Sequence, residues 1–483
     1  MKPSSTPSSF LWCQFAIALA LTFFGSSLFA QDKADTFRAG AYAMDITPQN
    51  FPVSSAGSMA HRTADSAHDP LHARCIVLDD GKTKIAFAIC DSCMIPREVY
   101  DAAKEIASKA TGIPVANILC SATHTHTAVT AGPTFRSLVQ EDYLPFLIQR
   151  IAEGIIKANE RLEAARIGWA VGNNPNQVFN RRWYMREGFD LTNPFDGQDK
   201  VRMNPPAGSS QLLKPAGPTD PDVMVVSIQS PDGKKPLALL SNYSLHYCGG
   251  VPGKQLSADY FGEFGSQFAE LIDAGPEFVG IMSNGTSGDI NNVNFFEGRV
   301  AKKPFEQIRH VAGDVAKSAK IAYDRIEYHD WVPLKVAETE IELGVRKGDE
   351  AEIARAKKIL AEAGDKPSPD KKVIYAYETL DLAKYPDTVK VKLQALRIGG
   401  LGIVSSPCET FVETGLAIKK QSPLPTTFVI ELANGYNGYL PTPEQHELGG
   451  YETWRAKSSY LSTDSEPKIR ATLLKLLGEV AGE

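Results

Sequence analysis

Val115-Ala116-Asn117-Ile118-Leu119-Cys120-Ser121-Ala122-Thr123-His124-Thr125-His126 is the stretch on which the reading of this chain turns. Residues 115–122 are short and largely apolar, which predicts a buried strand. That strand runs out into a His-x-His pair. In extended chain, residues two apart point to one face. Two imidazoles on one side of a strand end are well placed to ligate or flank a metal, and zinc accepts imidazole and carboxylate ligands. Alone, the pair is a weak signal, so further ligands must come from elsewhere.

Working outward, residues 74–78 and 84–90 flank Asp79-Asp80-Gly81, a hairpin signal. Helical spacing follows at 99–110 and 142–160. Residues 223–228 and 237–241 are strand-like, and the second leads to His246. A helix is expected over 261–272 and a strand over 278–282, which opens into Asn284-Gly285-Thr286-Ser287-Gly288-Asp289. Helices at 304–325 and 348–363 bracket a strand at 334–343, and the charge of the second helix reads as a solvated face. Strands at 391–398 and 401–404 meet at Gly399-Gly400, before a helix at 410–420, a strand at 427–432 and a last helix at 467–480. Residues 185–220 carry Pro194, Pro205, Pro206, Pro215 and Pro218, which predicts a long excursion near the site. No repeat period is visible. The pattern predicts one large mixed α/β catalytic domain with a metal site at strand ends.

The chain has 483 residues, 22% of them charged, with a formal net charge of -6. That balance argues against nucleic acid as a partner. Residues 10–24 are apolar and end in Gly25-Ser26-Ser27-Leu28-Phe29-Ala30, which predicts a secretory signal peptide over 1–30 and an exported, periplasmic or secreted domain over 31–483. An uncleaved anchor is the alternative. Cleavage leaves Cys75, Cys90, Cys93, Cys120, Cys248 and Cys408. Cys90-x-x-Cys93 could be a redox or metal pair, but Cys90 ends an apolar strand and reads better as a small buried hydrophobe.

Three other segments could carry chemistry. His246 follows a strand, where a satisfied core histidine is the simpler reading. Glu409 lies between strand and helix, where the helix dipole alone favours a carboxylate. Asn434-Gly435-Tyr436-Asn437-Gly438-Tyr439 could be a turn with packed tyrosines.

Taken in order, these segments resemble the neutral, non-lysosomal ceramidases. The resemblance rests on Thr123-His124-Thr125-His126, Asp69-Pro70-Leu71-His72-Ala73-Arg74, Asn180-Arg181, residues 243–246, Pro407-Cys408-Glu409-Thr410, Tyr436-Asn437-Gly438-Tyr439 and Tyr451-Glu452, spanning residues 38 to 455. It implies a zinc (Zn2+) site ligated by His124, His246, Glu409 and Tyr439. It also implies that His126, Arg181 and Tyr451 face the substrate and the reacting carbonyl. The family cleaves the amide of ceramide, so a lipid-like amide substrate is expected, with peripheral membrane contact. On this reading His126 serves as general base or acid, Arg181 or Tyr451 donates to the oxyanion, and Asp289 orients a histidine. The family's Gly-Asp-x-Ser-Pro stands here as Gly288-Asp289-Ile290-Asn291-Asn292, so Asn291 replaces a serine considered as a nucleophile. A zinc-activated water needs no serine. The family's C-terminal immunoglobulin-like domain is expected to be missing. Alternatives are hydrolysis of another amide or ester, or a non-catalytic binding protein that keeps a metal. An amidohydrolase barrel fits less well, because two strands precede the His pair and no eight-fold alternation is visible.

Overall fold

The computed structural model describes residues 36–364 and 369–482, so the expected signal segment lies outside the described residues. The first sheet holds β1 (Arg38–Asp45), β2 (His72–Asp79), β3 (Lys84–Cys90) and β4 (Ile118–Ala122), with α1 (Arg97–Thr111) and α2 (Leu144–Glu160) packed on it. β2 and β3 form the expected hairpin, and β4 runs parallel to β3. Residues 115–117 form a 3-10 turn rather than the start of that strand.

The second sheet holds β5 (Arg166–Asn173), β6 (Asp222–Gln229), β7 (Pro236–Tyr243) and β8 (Val279–Asn284), with β7 and β8 parallel. α3 (Asp259–Leu271) and α4 (Glu306–Tyr323) cover its outer face. The third sheet begins with β9 (Leu334–Gly344). After α5 (Glu350–Ala363) and α6 (Lys371–Leu382) it continues through β10 (Thr388–Ile398) and β11 (Leu401–Ser405). After α7 (Val412–Gln421) comes β12 (Thr426–Ile430), parallel to β11. α8 (Ser465–Ala481) closes the outer face of this sheet.

Side-chain alternation explains the layering. On β2, Cys75 and Val77 face the α1–α2 layer, while Ile76 and Leu78 enter a central core. On β6, Val223 and Val225 meet α3 and α4, while Met224 and Val226 turn inward to that same core. Ile403 and Phe428 of the third sheet join them there. Strands buried on both faces read as continuous apolar runs, as observed in the sequence. Truncating one central side chain, as in Ile76→Ala, should cost about 2–5 kcal/mol.

Each sheet therefore contains one parallel pair: β3–β4, β7–β8 and β11–β12. The loops leaving the carboxyl ends of these pairs carry His124, His246 and Glu409. That is the end of a strand at which open α/β sheets place their ligands.

Residues 185–220 correct one expectation. They are not a structureless excursion. Arg182–Met185 pairs with both Val201–Met203 and Leu212–Pro215 in a small antiparallel sheet, formed by short extended segments between the prolines. Asp35–Glu483 is one compact unit, and no helix among the described residues is long and apolar enough to cross a membrane.

Candidate metal centre

β4 stops at Ala122, and the His pair sits in the turn beyond it. The His124 backbone has φ of 77°, in the left-handed region, which costs a non-glycine residue roughly 1–2 kcal/mol. The turn is held by His124 N donating to Ser92 O at 2.8 Å and Thr123 N donating to Cys90 O at 2.9 Å. The strand pleat is thus not what brings the pair together, contrary to the sequence argument. A strained turn does it instead, and the two Nε2 atoms end 3.1 Å apart.

All three imidazoles are fixed the same way. His124 Nδ1 donates to Cys93 O at 2.7 Å, His126 Nδ1 to Gly57 O at 3.3 Å and His246 Nδ1 to Ser287 O at 2.9 Å. A carbonyl can only accept, so in each ring Nδ1 carries a proton and a neutral ring keeps its lone pair on Nε2. The Nε2 atoms of His124 and His246 are 3.0 Å apart. Glu409 Oε2 lies 3.2 Å from the first and 3.7 Å from the second. Oε2 is buried with no hydrogen-bond partner, while Oε1 accepts from the Tyr436 hydroxyl at 2.9 Å. Three potential electron-pair donors thus face one another in a buried site. Such an arrangement calls for a cation between them, and two imidazoles with a carboxylate suit a divalent transition metal.

The electrostatics separate the three rings: without a cation the facing carboxylate holds a second proton on His124, and that proton is what a metal would displace. Burial opposes a charge on His124, yet the facing Glu409 carboxylate raises its pKa well above the ordinary range. Burial, with the positive groups nearby, holds His126 and His246 well below it.

Tyr439 reaches the same point by backbone pairing. Glu409–Thr410 and Tyr439–Leu440 form a two-residue parallel ladder. The Tyr439 hydroxyl accepts from Arg181 Nη2 at 3.1 Å. Arg181 is further tied by Nε to Glu452 Oε1 at 2.9 Å and by Nη2 to Gly288 O at 2.7 Å, leaving Nη1 3.4 Å from His246 Nε2. Arg182 takes the other Glu452 oxygen at 2.7 Å, and all three side chains are buried. Tyr451 lines the cleft, its ring 5.7 Å from Tyr439 and 6.3 Å from Phe135.

Asp289 does not meet a histidine, which corrects the role expected for it. Its Oδ2 accepts from Asn180 Nδ2 at 2.7 Å, its Oδ1 from Val412 N at 2.9 Å, and its carbonyl from Arg181 N at 2.8 Å. It therefore fixes the Asn180-Arg181 segment. Asn291 is engaged with Asn204 at 2.6 Å and with Val293 N at 2.9 Å.

The cleft over the cluster measures about 190 Å³ and is walled by Met59, Phe135, Met203 and Tyr247, among others. Tyr247 stacks on His126 with ring centroids 3.7 Å apart. Larger cavities of about 480 Å³ beside Tyr385 and about 520 Å³ beside Gly249 hold no ligating cluster among the described residues. Sequence reasoning gave no role to Tyr247, Tyr436, Glu452 or Glu431. Tyr247 and Glu452 adjoin residues it did single out, and Tyr436 lies within the quoted tyrosine motif. Glu431, a lone charge within an apolar run, was the available signal for the fourth.

Fold and site together define a mixed α/β protein with a buried His-His-carboxylate centre at the carboxyl ends of three parallel strand pairs. No family model matches the sequence. Two solved structures share the fold. One is neutral ceramidase from Pseudomonas aeruginosa, with TM-score 0.69 and 18% identity over 92% of this chain and 74% of that one. The other is a ceramidase complexed with C2, with TM-score 0.69 and 17% identity over 92% of this chain and 75% of that one.

Proposed function

We propose that this chain is a zinc-dependent hydrolase cleaving the amide bond of ceramide or a related N-acyl lipid. The observation that carries the reading is the convergence of the His124 and His246 Nε2 lone pairs on the unpartnered Glu409 Oε2. Those three residues and Tyr439 would hold the ion. When bound, zinc supplies a Lewis acid that acidifies water and polarises a carbonyl.

The chain's own groups fit the remaining tasks. His126 is neutral, and its Nδ1 hydrogen bond to Gly57 O leaves Nε2 free to take a proton from water and pass it to the leaving amine. Arg181 Nη1 and the Tyr451 hydroxyl are the donors available to a developing oxyanion, each worth about 3 kcal/mol in comparable sites. No step requires a hydroxyl at Asn291. Met59, Phe135 and Met203 offer an apolar wall to an acyl chain. Phe296 and Val300, 70% and 80% exposed, share one loop with Arg299, Lys302, Lys303 and a single acidic residue, Glu297, which supports peripheral contact with an anionic lipid surface. Export through residues 1–30 belongs to the same proposal.

The test is zinc content by mass spectrometry alongside hydrolysis of a fluorescent N-acyl-sphingosine. About one zinc per chain with turnover is the expected result. Zinc without turnover moves the substrate to other amides and esters, and failure to take up zinc overturns the reading.

A further inference from the structure

Glu431 is fully buried and directly follows β12. Its Oε1 accepts from Asn284 Nδ2 at 3.0 Å and from Ser287 Oγ at 2.7 Å. Its Oε2 accepts from Ser287 N at 3.2 Å and from Thr410 N at 2.7 Å. Both oxygens are thus saturated by donors from two segments that start on different sheets. Asn284 ends β8 in the second sheet, and Thr410 follows β11 of the third.

Those segments are the ones that aim the metal-binding atoms. The Ser287 carbonyl takes the Nδ1 proton of His246 and so presents its Nε2 to the centre. Thr410 is the neighbour of Glu409 and shares its short ladder. The two segments also touch directly, with Gly288 N donating to Thr410 O at 2.9 Å. A Cβ on Gly288 would stand 2.5 Å from Glu409 O, so their approach is as close as backbone allows. A carboxylate is the side chain that can receive four donors at once, whereas an amide offers one oxygen.

We infer that Glu431 is a positioning residue for the metal centre, a single carboxylate that sets His246 and Glu409 in register by binding the backbone beside each. The inference rests on the proposed metal site and deepens it. Partners bonded directly to a ligand typically change metal affinity by about 10–100-fold when altered, and Glu431 acts one residue further out, through Ser287 and Thr410.

The test is zinc affinity, read by competition with a chromophoric chelator on the full chain, so that no turnover is required. Glu431→Gln replaces one acceptor with an amide donor facing donors, and its zinc dissociation constant should rise about 10-fold, the lower end of that range. Asn284→Ala removes one of the four bonds without touching His246, whereas Ser287→Ala would also remove a 3.4 Å contact of its Oγ with His246 Nδ1, so Asn284→Ala should give a smaller rise and serves if Glu431→Gln does not fold. Glu466→Gln is the control. Glu466 is equally buried, but it bonds Thr414 and Arg470 on α7 and α8. Its substitution should leave zinc affinity unchanged while lowering the melting temperature of the metal-free protein. Parent-like zinc affinity in both Glu431→Gln and Asn284→Ala, or an equal loss in Glu466→Gln, overturns the inference while leaving the metal site intact. A parent that takes up no zinc overturns the metal reading itself, and this inference with it.

Discussion

Glu409 and Tyr439 are register partners in a parallel ladder only two residues long. Pairing of main chain sets the carboxylate and the phenol side by side. Glu409 N donates to Gly438 O at 2.9 Å and Tyr439 N to Ser458 O at 2.8 Å, so both backbones are held independently of any ion. Tyr439→Phe should therefore keep Glu409 in place and lose only the hydroxyl. Zinc affinity should fall by more than about 10-fold, with Arg181 Nη2 losing an acceptor at a cost of about 1–3 kcal/mol. Chelator competition and chemical denaturation check the two parts separately.

His124 carries its imidazole on a left-handed backbone. Asparagine, whose short polar side chain can bond locally, visits that conformation more readily than most residues. His124→Asn should abolish zinc binding and hydrolysis. The metal-free variant should unfold at a denaturant concentration no lower than the metal-free parent. A large loss of stability in that comparison would contradict the assignment of strain to this turn.

His126 lies against the cluster without approaching Glu409 as His124 does. His126→Asn should retain zinc while kcat falls about 100- to 10,000-fold, the range for loss of a general acid–base. Zinc content and turnover measured on one preparation decide it. Loss of the metal in this variant would make His126 a ligand instead.

Glu452 is the common partner of two buried guanidiniums, Arg181 and Arg182. Removing its charge takes from both cations their hydrogen-bonded counter-ion, and breaking a buried pair costs about 3–5 kcal/mol. Glu452→Gln should show that loss in urea unfolding, and Arg181 should no longer be fixed beside the centre.

Burial pushes the Asp289 carboxyl up to about 7 in the folded chain. An unfolded aspartate titrates near 3.9. Between those values the folded state binds the extra proton, so this group's contribution to stability is greatest below pH 4 and declines as pH rises towards 7. Asp289→Asn should flatten that part of the stability–pH curve, measured by thermal unfolding from pH 4 to 8.

Much of the architecture was legible because its strands are continuous apolar runs and most helices show a clear 3.6-residue period. α6 escaped notice because Val373, Ile374, Tyr375 and Ala376 are consecutive and all buried, which blurs that period. The ladder within 185–220 escaped notice because prolines interrupt its short strands. At the site, the histidines and Glu409 could be gathered from their order along the chain. The turn at His124 could not, since nothing in Thr-His-Thr-His signals a positive φ. Nor could the partners of Glu431 or Asp289, since they come from segments far apart in sequence.

The three parallel pairs have a kinetic consequence. No sheet alone owns the centre: one brings His124, another His246 and the third Glu409. Contacts of such long range form late, after the loop entropy between them has been overcome. During refolding, tight metal capture should coincide with the docking of the last sheet. The ion would then act as a stopwatch for the final assembly step, and a chain stalled with two sheets docked would remain metal-free.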